Sequence, residues 1–157
     1  MRRNDREITN RQEILDILFK CGVIRLVINT PNYPYVVPMN FGIEAEGQTL
    51  TLWFHSACEG MKLDLIKQDN RLGFEADCSN NIIAGGRACD YTIEYESVIG
   101  FGDMEICDDI ESKLRGLRAI MRHYVPGEEF TFTDTELAAV CVLRLNVKQI
   151  TGKRLKV

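Results

Sequence analysis

The chain has 157 residues, of which 45% are hydrophobic and 27% are charged, an ordinary balance for a soluble globular protein with one substantial core. Its net charge of −4 argues against a general nucleic-acid binder, which would need a basic face. No apolar run approaches the roughly 20 residues needed to span a bilayer, and the N-terminus lacks the apolar segment of a signal peptide. We therefore expect a single cytoplasmic domain over residues 1–157, with no nucleic-acid or membrane partner.

The first half of the chain is predicted to contain two helices and three strands. Helices are recognised by apolar residues three or four positions apart, and strands by alternation. The first element is a helix over residues 13–20, capped by Thr9 or Asn10 and ended by Gly22. Two strands follow, over 22–29 and 35–45, with a turn at 31–34 between them. A hairpin at 46–47 leads into a third strand that ends at 55, and a short helix covers 60–69.

The second half is predicted to contain three more strands and two helices. In chain order these are a strand over 71–77, a loop over 78–90, a long strand over 91–107 with a bend or bulge at Gly100 and Gly102, a helix from the cap Asp108 to about 124, a short helix over 134–138 and a strand over 140–147. Most strands are adjacent in sequence, and no regular βαβ alternation occurs. The pattern favours a mainly β fold, an antiparallel barrel with peripheral helices.

The junction between the third strand and the short helix is a candidate anion site. His55, Ser56 and Lys62 gather where the strand leads into the helix. The first turn of a helix has unpaired N–H groups and a partial positive charge, so it suits a phosphate. The alternative is that Ser56 and Glu59 form a capping box that only defines the start of the helix.

The second strand divides into two faces of different character. Alternation assigns Val37, Met39, Phe41 and Ile43 to the core, and Val36, Pro38, Asn40 and Gly42 to the outside. The outer set is small, and Pro38 suits an edge or a bulge, so a planar group could lie close to the backbone. Trp53 is assigned to the same outer side on the third strand. It needs a cover, which either a subunit interface or a peripheral helix would provide.

The cysteines and histidines do not indicate a metal site. None of the six cysteines forms a Cys-x-x-Cys pair, and their spacing matches no zinc pattern. His55 and His123 lie far apart in the sequence. We expect reduced cysteines and no structural metal.

Several motifs resemble one known family. They are Pro34–Gly42, the run from Phe54 to Asp64, Cys89–Tyr91, Tyr95–Gly102, Glu111-x-Lys113 and Ile150–Lys153. Together they are similar to the flavin-binding split-barrel proteins related to pyridoxamine 5′-phosphate oxidase, and within that group to the nitroimidazole-resistance (Nim) branch. The resemblance runs from about residue 10 to residue 153.

This resemblance implies a six-stranded antiparallel split β-barrel and a homodimer that binds two flavin mononucleotides (FMN) at its interface. The flavin ring would lie along Val37, Pro38, Met39 and Asn40, and the phosphate at His55, Ser56, Ala57 and Lys62. Ser97 would close the site from the second subunit. Met61 stands in the binding segment where relatives often carry a second basic residue, so FAD is the alternative cofactor.

The resemblance also implies a flavin-dependent reductase acting on small nitroaromatic, 5-nitroimidazole-like acceptors. The alternative is a non-catalytic flavin-binding module, such as a redox sensor, carrier or store. No residue pattern nominates a general acid or base. His55 is the best candidate for a role toward the substrate, because it lies where the ring and phosphate regions meet, and the alternative is that it only binds phosphate.

Overall fold

The computed structural model describes residues 4–155. Within this range the chain forms eight β-strands, four α-helices and two short 3-10 turns. In chain order the strands and helices are β1 (Glu7–Ile8), α1 (Arg11–Lys20), β2 (Ile24–Ile28), β3 (Tyr35–Met39), β4 (Gly42–Glu46), β5 (Thr49–Ser56), α2 (Met61–Gln68), β6 (Arg71–Ile83), β7 (Thr92–Cys107), α3 (Ile110–Tyr124), α4 (Asp134–Ala139) and β8 (Cys141–Leu155). No helix among these residues is long and apolar enough to cross a membrane.

The strands form one antiparallel sheet in the order β3-β2-β6-β7-β8-β5-β4, with β1 paired to β8. The edge strands β3 and β4 are consecutive in the chain, with only Asn40 and Phe41 between them. Three Cα–Cα steps of about 3.8 Å span at most about 11 Å, so the two edges must approach each other. The sheet therefore curls into a split barrel. We call the gap between β3 and β4, which Asn40 and Phe41 cross, the seam.

The predicted fold class, a mainly β split barrel with peripheral helices, is confirmed, and the sheet is open along the seam. The described chain has eight strands rather than six, because the predicted strand over 35–45 is two strands and β1 is additional. Alternation continues without a break through Asn40 and Phe41, and both Phe41 and Ile43 are buried. The pattern therefore could not show that the chain passes from one edge of the sheet to the other.

The barrel interior is a continuous apolar core. The inward side chains of β2, Ile24, Leu26 and Ile28, are fully buried, and they pack in one cluster with residues of α1, β4, β5, β6, β7 and β8. Helix α2 adds Leu63 and Ile66 to the same cluster. The short helix after β5 is thereby held rigidly against the barrel, which positions the start of α2 for a possible ligand.

An ion-pair cluster around one buried carboxylate joins α1 to β7 and β8. Glu96 is 1% exposed and accepts hydrogen bonds from Lys20 (2.8 Å) and Arg154 (2.6 Å). Arg154 also donates to Glu13 of α1 at 2.6 Å. Burial alone would raise the pKa of Glu96, but the hydrogen bonds from Lys20 and Arg154 outweigh it and lower the pKa to about 2. The carboxylate is therefore held in its charged form.

Helix α3 covers the outer faces of β4 and β5. Trp53 is 1% exposed, packs in a cluster with Leu117 and Ile120 of α3, and donates its indole N–H to Glu44 at 2.8 Å. A Cβ atom at Gly42 would lie 2.4 Å from the backbone of Ala119. Of the two covers considered for Trp53, the peripheral helix is correct and the subunit interface is wrong. The interpretation of Gly42 as part of a face open to a planar ligand is also wrong, because α3 occupies that space.

Three other local predictions are corrected by the structure, and a fourth is confirmed. The cap of α3 is Asp109 rather than Asp108, and its side chain accepts the N–H of Ser112 at 2.7 Å. Strand β6 continues to Ile83, past an irregularity between Cys78 and Asn81, where a loop was predicted. The final strand extends to Leu155. The predicted bulge near Gly102 is confirmed by a shift of register in the β7–β8 pairing.

Candidate functional site

The junction between β5 and α2 presents an open helix start. Strand β5 ends at Ser56, and α2 begins at Met61 with Gly60 as its N-cap. No side chain caps this end of the helix. The Ser56 hydroxyl instead donates to the carbonyl of Ala57 at 2.9 Å, so the capping-box alternative is wrong. The first backbone N–H groups of α2, those of Met61 and Lys62, therefore have no capping side chain and suit an anion.

Gly60 gives the loop over residues 57–60 its shape. Its φ of 128° lies in a region that residues with a Cβ rarely adopt. The Gly60 carbonyl accepts the backbone N–H groups of Leu63 (3.0 Å) and Asp64 (3.3 Å), which closes the first turn of α2. The exposed loop residues Ala57 and Cys58 lie directly before this turn. The loop thus leaves the space in front of the helix free of capping side chains.

Lys62 links the helix start to the edge strand β3. Its half-buried ammonium donates to Met39 Sδ at 3.2 Å. Burial lowers the pKa of the Lys62 ammonium, and the nearby thiol of Cys141 acts in the opposite direction. A thioether is a weak acceptor, and Lys62 makes no ion pair within residues 4–155. An anionic ligand here would therefore supply charge compensation that the described side chains do not.

Strand β3 exposes the residues that were predicted to meet a ring. Among the strands of residues 4–155 it pairs only with β2, and it forms one edge of the sheet. Pro38 and Asn40 are exposed, whereas Val37 and Met39 are half-buried and pack against the core. The prediction that Pro38 suits an edge is confirmed, since an edge strand has one side without ladder hydrogen bonds. A planar ligand could approach this edge closely.

The other predicted site residues are less closely grouped. His55 is exposed at the end of β5 and pairs in register with Val142, beside the part of β5 that α3 covers. Met61 is 57% exposed on the first turn of α2. Ser97 lies on β7, two strands from β5 and three from β3. The β7 residue in line with His55 is Cys107, because both pair with Val142, and Ser97 lies ten residues further along the strand. The chain therefore does not bring its own Ser97 to the phosphate end.

A second lysine behind the loop was not predicted as part of the site. A cavity of about 260 Å³ is lined by Cys58, Lys113 and Cys141, among others. Lys113 donates to the carbonyls of Leu137 and Val140, each at 2.9 Å. It therefore holds the end of α4 next to the loop. The Glu111-x-Lys113 motif contains this lysine, but the sequence gives no sign of the two carbonyls to which it donates.

No redox-active thiol pair or metal cluster is part of the described site. All six cysteines are free thiols, and burial raises the pKa of Cys141. Among residues 4–155 no group of three or more His, Cys, Asp or Glu side chains is arranged to hold a metal ion. The chemistry that the arrangement supports is thus the binding of an anion at a helix start, beside an exposed strand edge.

Comparison with known proteins agrees with this geometry. The sequence model of the family described as pyridoxamine 5′-phosphate oxidase matches residues 10–154. The chain belongs to this family. The match covers both the β5–α2 junction and the seam, so the two halves of the candidate site lie within the family domain. A comparison with curated proteins gave no significant match.

Solved structures of the same fold include flavoproteins. A proposed 5-nitroimidazole antibiotic resistance protein from Bacteroides thetaiotaomicron VPI-5482 is 32% identical, with a TM-score of 0.82 over 94% of this chain and 86% of that one. An FAD binding protein from Mycobacterium smegmatis is 25% identical, with a TM-score of 0.63 over 96% and 98%. An FAD and heme binding protein from the same organism has a TM-score of 0.83 over 97% and 74%, but its 19% identity shows only the shared fold.

Proposed function

We propose that this member of the pyridoxamine 5′-phosphate oxidase family binds FMN, with the phosphate at the start of α2 and the ring along the edge of β3. The observation that carries the proposal is the contact between Lys62 and Met39, because it joins the helix start to the strand edge. The open first turn suits a phosphate. The exposed edge at Pro38 and Asn40 suits a planar ring with polar atoms at its rim.

FAD is the second candidate cofactor. Met61 adds no charge to the helix start, and its side chain is largely exposed, so nothing on that side closes the site around a terminal phosphate. The relative from Mycobacterium smegmatis is named as an FAD binding protein, which supports an adenine-extended flavin. Mass determination of the chromophore released from purified protein distinguishes the two cofactors.

The activity that we propose is the reduction of small nitroaromatic acceptors. The relative named for 5-nitroimidazole antibiotic resistance supports this acceptor class. A bound flavin supplies reversible electron transfer, while the protein supplies binding and orientation. Asn40 would orient the polar rim of the ring, and the exposed His55 would bind phosphate or approach the acceptor. The alternative remains a flavin-binding module without turnover.

An anaerobic mixing experiment separates these alternatives. Chemically reduced, flavin-loaded protein is mixed with a 5-nitroimidazole, and reoxidation is followed by absorbance per bound flavin. The reductase proposal expects reoxidation within seconds to minutes and a slower rate after His55→Ala or Asn40→Ala. If the flavin stays reduced in the presence of the nitroimidazole but is readily reoxidised by oxygen, the result favours the flavin-binding module without turnover.

We also propose a homodimer with the flavin between its subunits, now on a different surface from Trp53. Ile99 and Phe101 of β7 are 51% and 56% exposed on the outer face of the sheet, and with Val27 they line an open cavity of about 500 Å³. Ser97 lies two residues before Ile99, on the same face of β7. A second copy seated on this apolar face would cover it and bring Ser97 toward the other subunit's flavin.

A further inference from the structure

The C-terminal end of α3 is bonded directly to the chain that crosses the seam. The hydroxyl of Tyr124 accepts the backbone N–H of Phe41 at 3.1 Å and donates to the carbonyl of Gly22 at 2.8 Å. One hydroxyl therefore uses both its acceptor and its donor capacity. It ties the seam crossing to the turn between α1 and β2.

His123, the residue before Tyr124, supports the same arrangement through ring contacts and one hydrogen bond. Its ring centroid lies 4.6 Å from that of Phe41 and 4.7 Å from that of Tyr124, edge-on to the latter. Its Nε2 lies 2.9 Å from the carbonyl of Cys21, and because a carbonyl only accepts, Nε2 carries the proton. The two residues thus dock the end of α3 onto both Phe41 and the α1–β2 turn.

The hydrogen bond from Phe41 determines the direction of the adjacent carbonyl. The N–H of Phe41 and the C=O of Asn40 belong to one planar trans peptide, so they point in opposite directions. When the N–H points at Tyr124, the Asn40 carbonyl points away from α3. Asn40 itself is exposed, and no hydrogen bond to its side chain forms within residues 4–155.

Both neighbours of Asn40 are therefore anchored while Asn40 is left free. On one side Met39 is paired with Ile24 in the β2–β3 ladder. On the other, Phe41 is bonded to Tyr124, and Gly42 lies so close to the backbone of Ala119 that no Cβ fits. A residue with free polar groups between two rigid anchors is typical of a binding position whose geometry is set in advance.

We propose that Tyr124 is a positioning residue for the bound flavin: through the Phe41 N–H it directs the polar groups of Asn40 at the rim of the ring. The inference rests on the proposed flavin site and deepens it. Hydrogen bonds at the rim of a flavin ring tune its electronics. Tyr124 therefore affects the reduction potential of the flavin without touching it.

The test uses the full chain loaded with FMN and the variant Tyr124→Phe, which keeps the aromatic ring and removes the hydroxyl. Tyr33→Phe is the control, because Tyr33 is 85% exposed in the turn before β3, at the opposite end of that strand from Asn40. We expect Tyr124→Phe to raise the dissociation constant for FMN about 3- to 10-fold, the effect of one hydrogen bond. We also expect a shifted flavin absorption band and midpoint potential, and no change in Tyr33→Phe.

A double-mutant cycle with Asn40→Ala distinguishes positioning from simple loosening of the fold. If Tyr124 acts through Asn40, the shift in potential caused by Tyr124→Phe is smaller in the Asn40→Ala background. Unchanged affinity and potential in Tyr124→Phe would overturn the inference while leaving flavin binding intact. Wild-type protein that binds no flavin would overturn the proposed function and this inference together.

Amide hydrogen exchange in the wild-type protein gives a measurement that needs no variant. The N–H of Phe41 lies outside the strand ladders and donates to the Tyr124 hydroxyl, so this hydrogen bond protects it together with the burial of Phe41. We expect strong protection of this amide. Exchange at the rate of an exposed loop amide would overturn the inference, whatever the variants show.

Discussion

Lys62 is the side chain on which the two halves of the candidate site depend. Its ammonium is half-buried with a thioether as its hydrogen-bond partner, and burial lowers its pKa. A phosphate at the start of α2 would restore the compensation that this cation lacks in the described chain. The same residue was nominated from the sequence, since a lysine two positions into a helix is local information.

Replacing Lys62 with Ala is expected to weaken FMN binding by about 1–3 kcal/mol, the range for a lost charge-assisted hydrogen bond. The matched control is Lys67→Ala, which removes the same charge from the last turn of the same helix and should leave affinity nearly unchanged. Titration of flavin fluorescence measures both variants. Equal FMN affinity in Lys62→Ala and wild type would show that the phosphate does not bind at Lys62.

Glu96 shows how a single buried carboxylate makes stability depend on pH. Its pKa falls from the ordinary 4.5 to about 2 because Lys20 and Arg154 outweigh the effect of burial. A depressed pKa contributes stability that is fully present above the unfolded-state pKa and is lost as pH falls through the folded-state pKa. The contribution of Glu96 should therefore decline between about pH 4.5 and pH 2.

Glu96→Gln is expected to lower the free energy of unfolding by about 1.5–3 kcal/mol at pH 7, the range for hydrogen bonds to a charged group, because Lys20 loses its anion and, within residues 4–155, Arg154 keeps only Glu13. The variant should also lose part of the acid sensitivity of the wild type. Urea denaturation at pH 7 and at pH 3 measures both effects, with the exposed Glu128→Gln as control. Parallel pH profiles for wild type and Glu96→Gln would contradict this assignment.

At the scale of elements, α3 decides what the outer faces of β4 and β5 can bind. Its amphipathic stripe predicted a helix, but no local pattern showed which surface it covers. Gly42 looked like part of a flat face for a ligand, whereas the backbone of α3 lies against it. The same helix brings Tyr124 to the seam, 83 residues from Phe41 in sequence.

Gly42→Ala is expected to destabilise the fold by about 1–3 kcal/mol or more, the usual cost of overpacking. The new Cβ would lie 2.4 Å from the backbone of Ala119 and Ile120, so α3 would have to move. Gly73→Ala is the control, because its Cβ would meet only ordinary contacts, the nearest at 3.6 Å. Chemical denaturation should separate the two variants. Equal stability would mean that α3 does not seat on Gly42.

The sequence predicted those parts of the candidate site whose residues lie close together in the chain. The β5–α2 junction lies within nine residues, from Phe54 to Lys62, and its strand-to-helix change was visible directly. The seam was not predictable, because uninterrupted alternation over 35–45 carries no sign that β3 and β4 pair with different partners. The roles of Lys113 and Tyr124 also depend on contacts distant in sequence, which composition and periodicity do not encode.

At the scale of the whole molecule, the exposed apolar face of β7 is the best remaining candidate for a subunit interface. Ile99 and Phe101 are half-exposed, and the nearby pair of Lys148 and Asp103 (3.4 Å) supplies both charges at the rim. Both signs at the rim suit a self-complementary interface, in which the same patch occurs on both sides. An obligate dimer should bury more than about 2,000 Å² in total.

Phe101→Glu is expected to convert the proposed dimer to a monomer at micromolar concentration, because it places a charge in the middle of the apolar face. Ile110→Glu is the control, since Ile110 is 62% exposed at the start of α3, past the end of β7 and more than about 20 Å along the chain direction from Phe101. Light scattering with FMN present measures the mass of each. A monomeric wild type, or a Phe101→Glu variant that stays dimeric, would contradict this surface.

The central claim, that the start of α2 and the edge of β3 together hold a flavin, has one direct measurement. Purified protein is incubated with excess FMN, separated from free ligand by gel filtration, and examined by visible absorbance and by mass determination of the released chromophore. The account predicts a flavin spectrum with one flavin per chain, and near-complete loss of that spectrum in the combined Lys62→Ala and Asn40→Ala variant. A colourless wild-type protein after this treatment would contradict it.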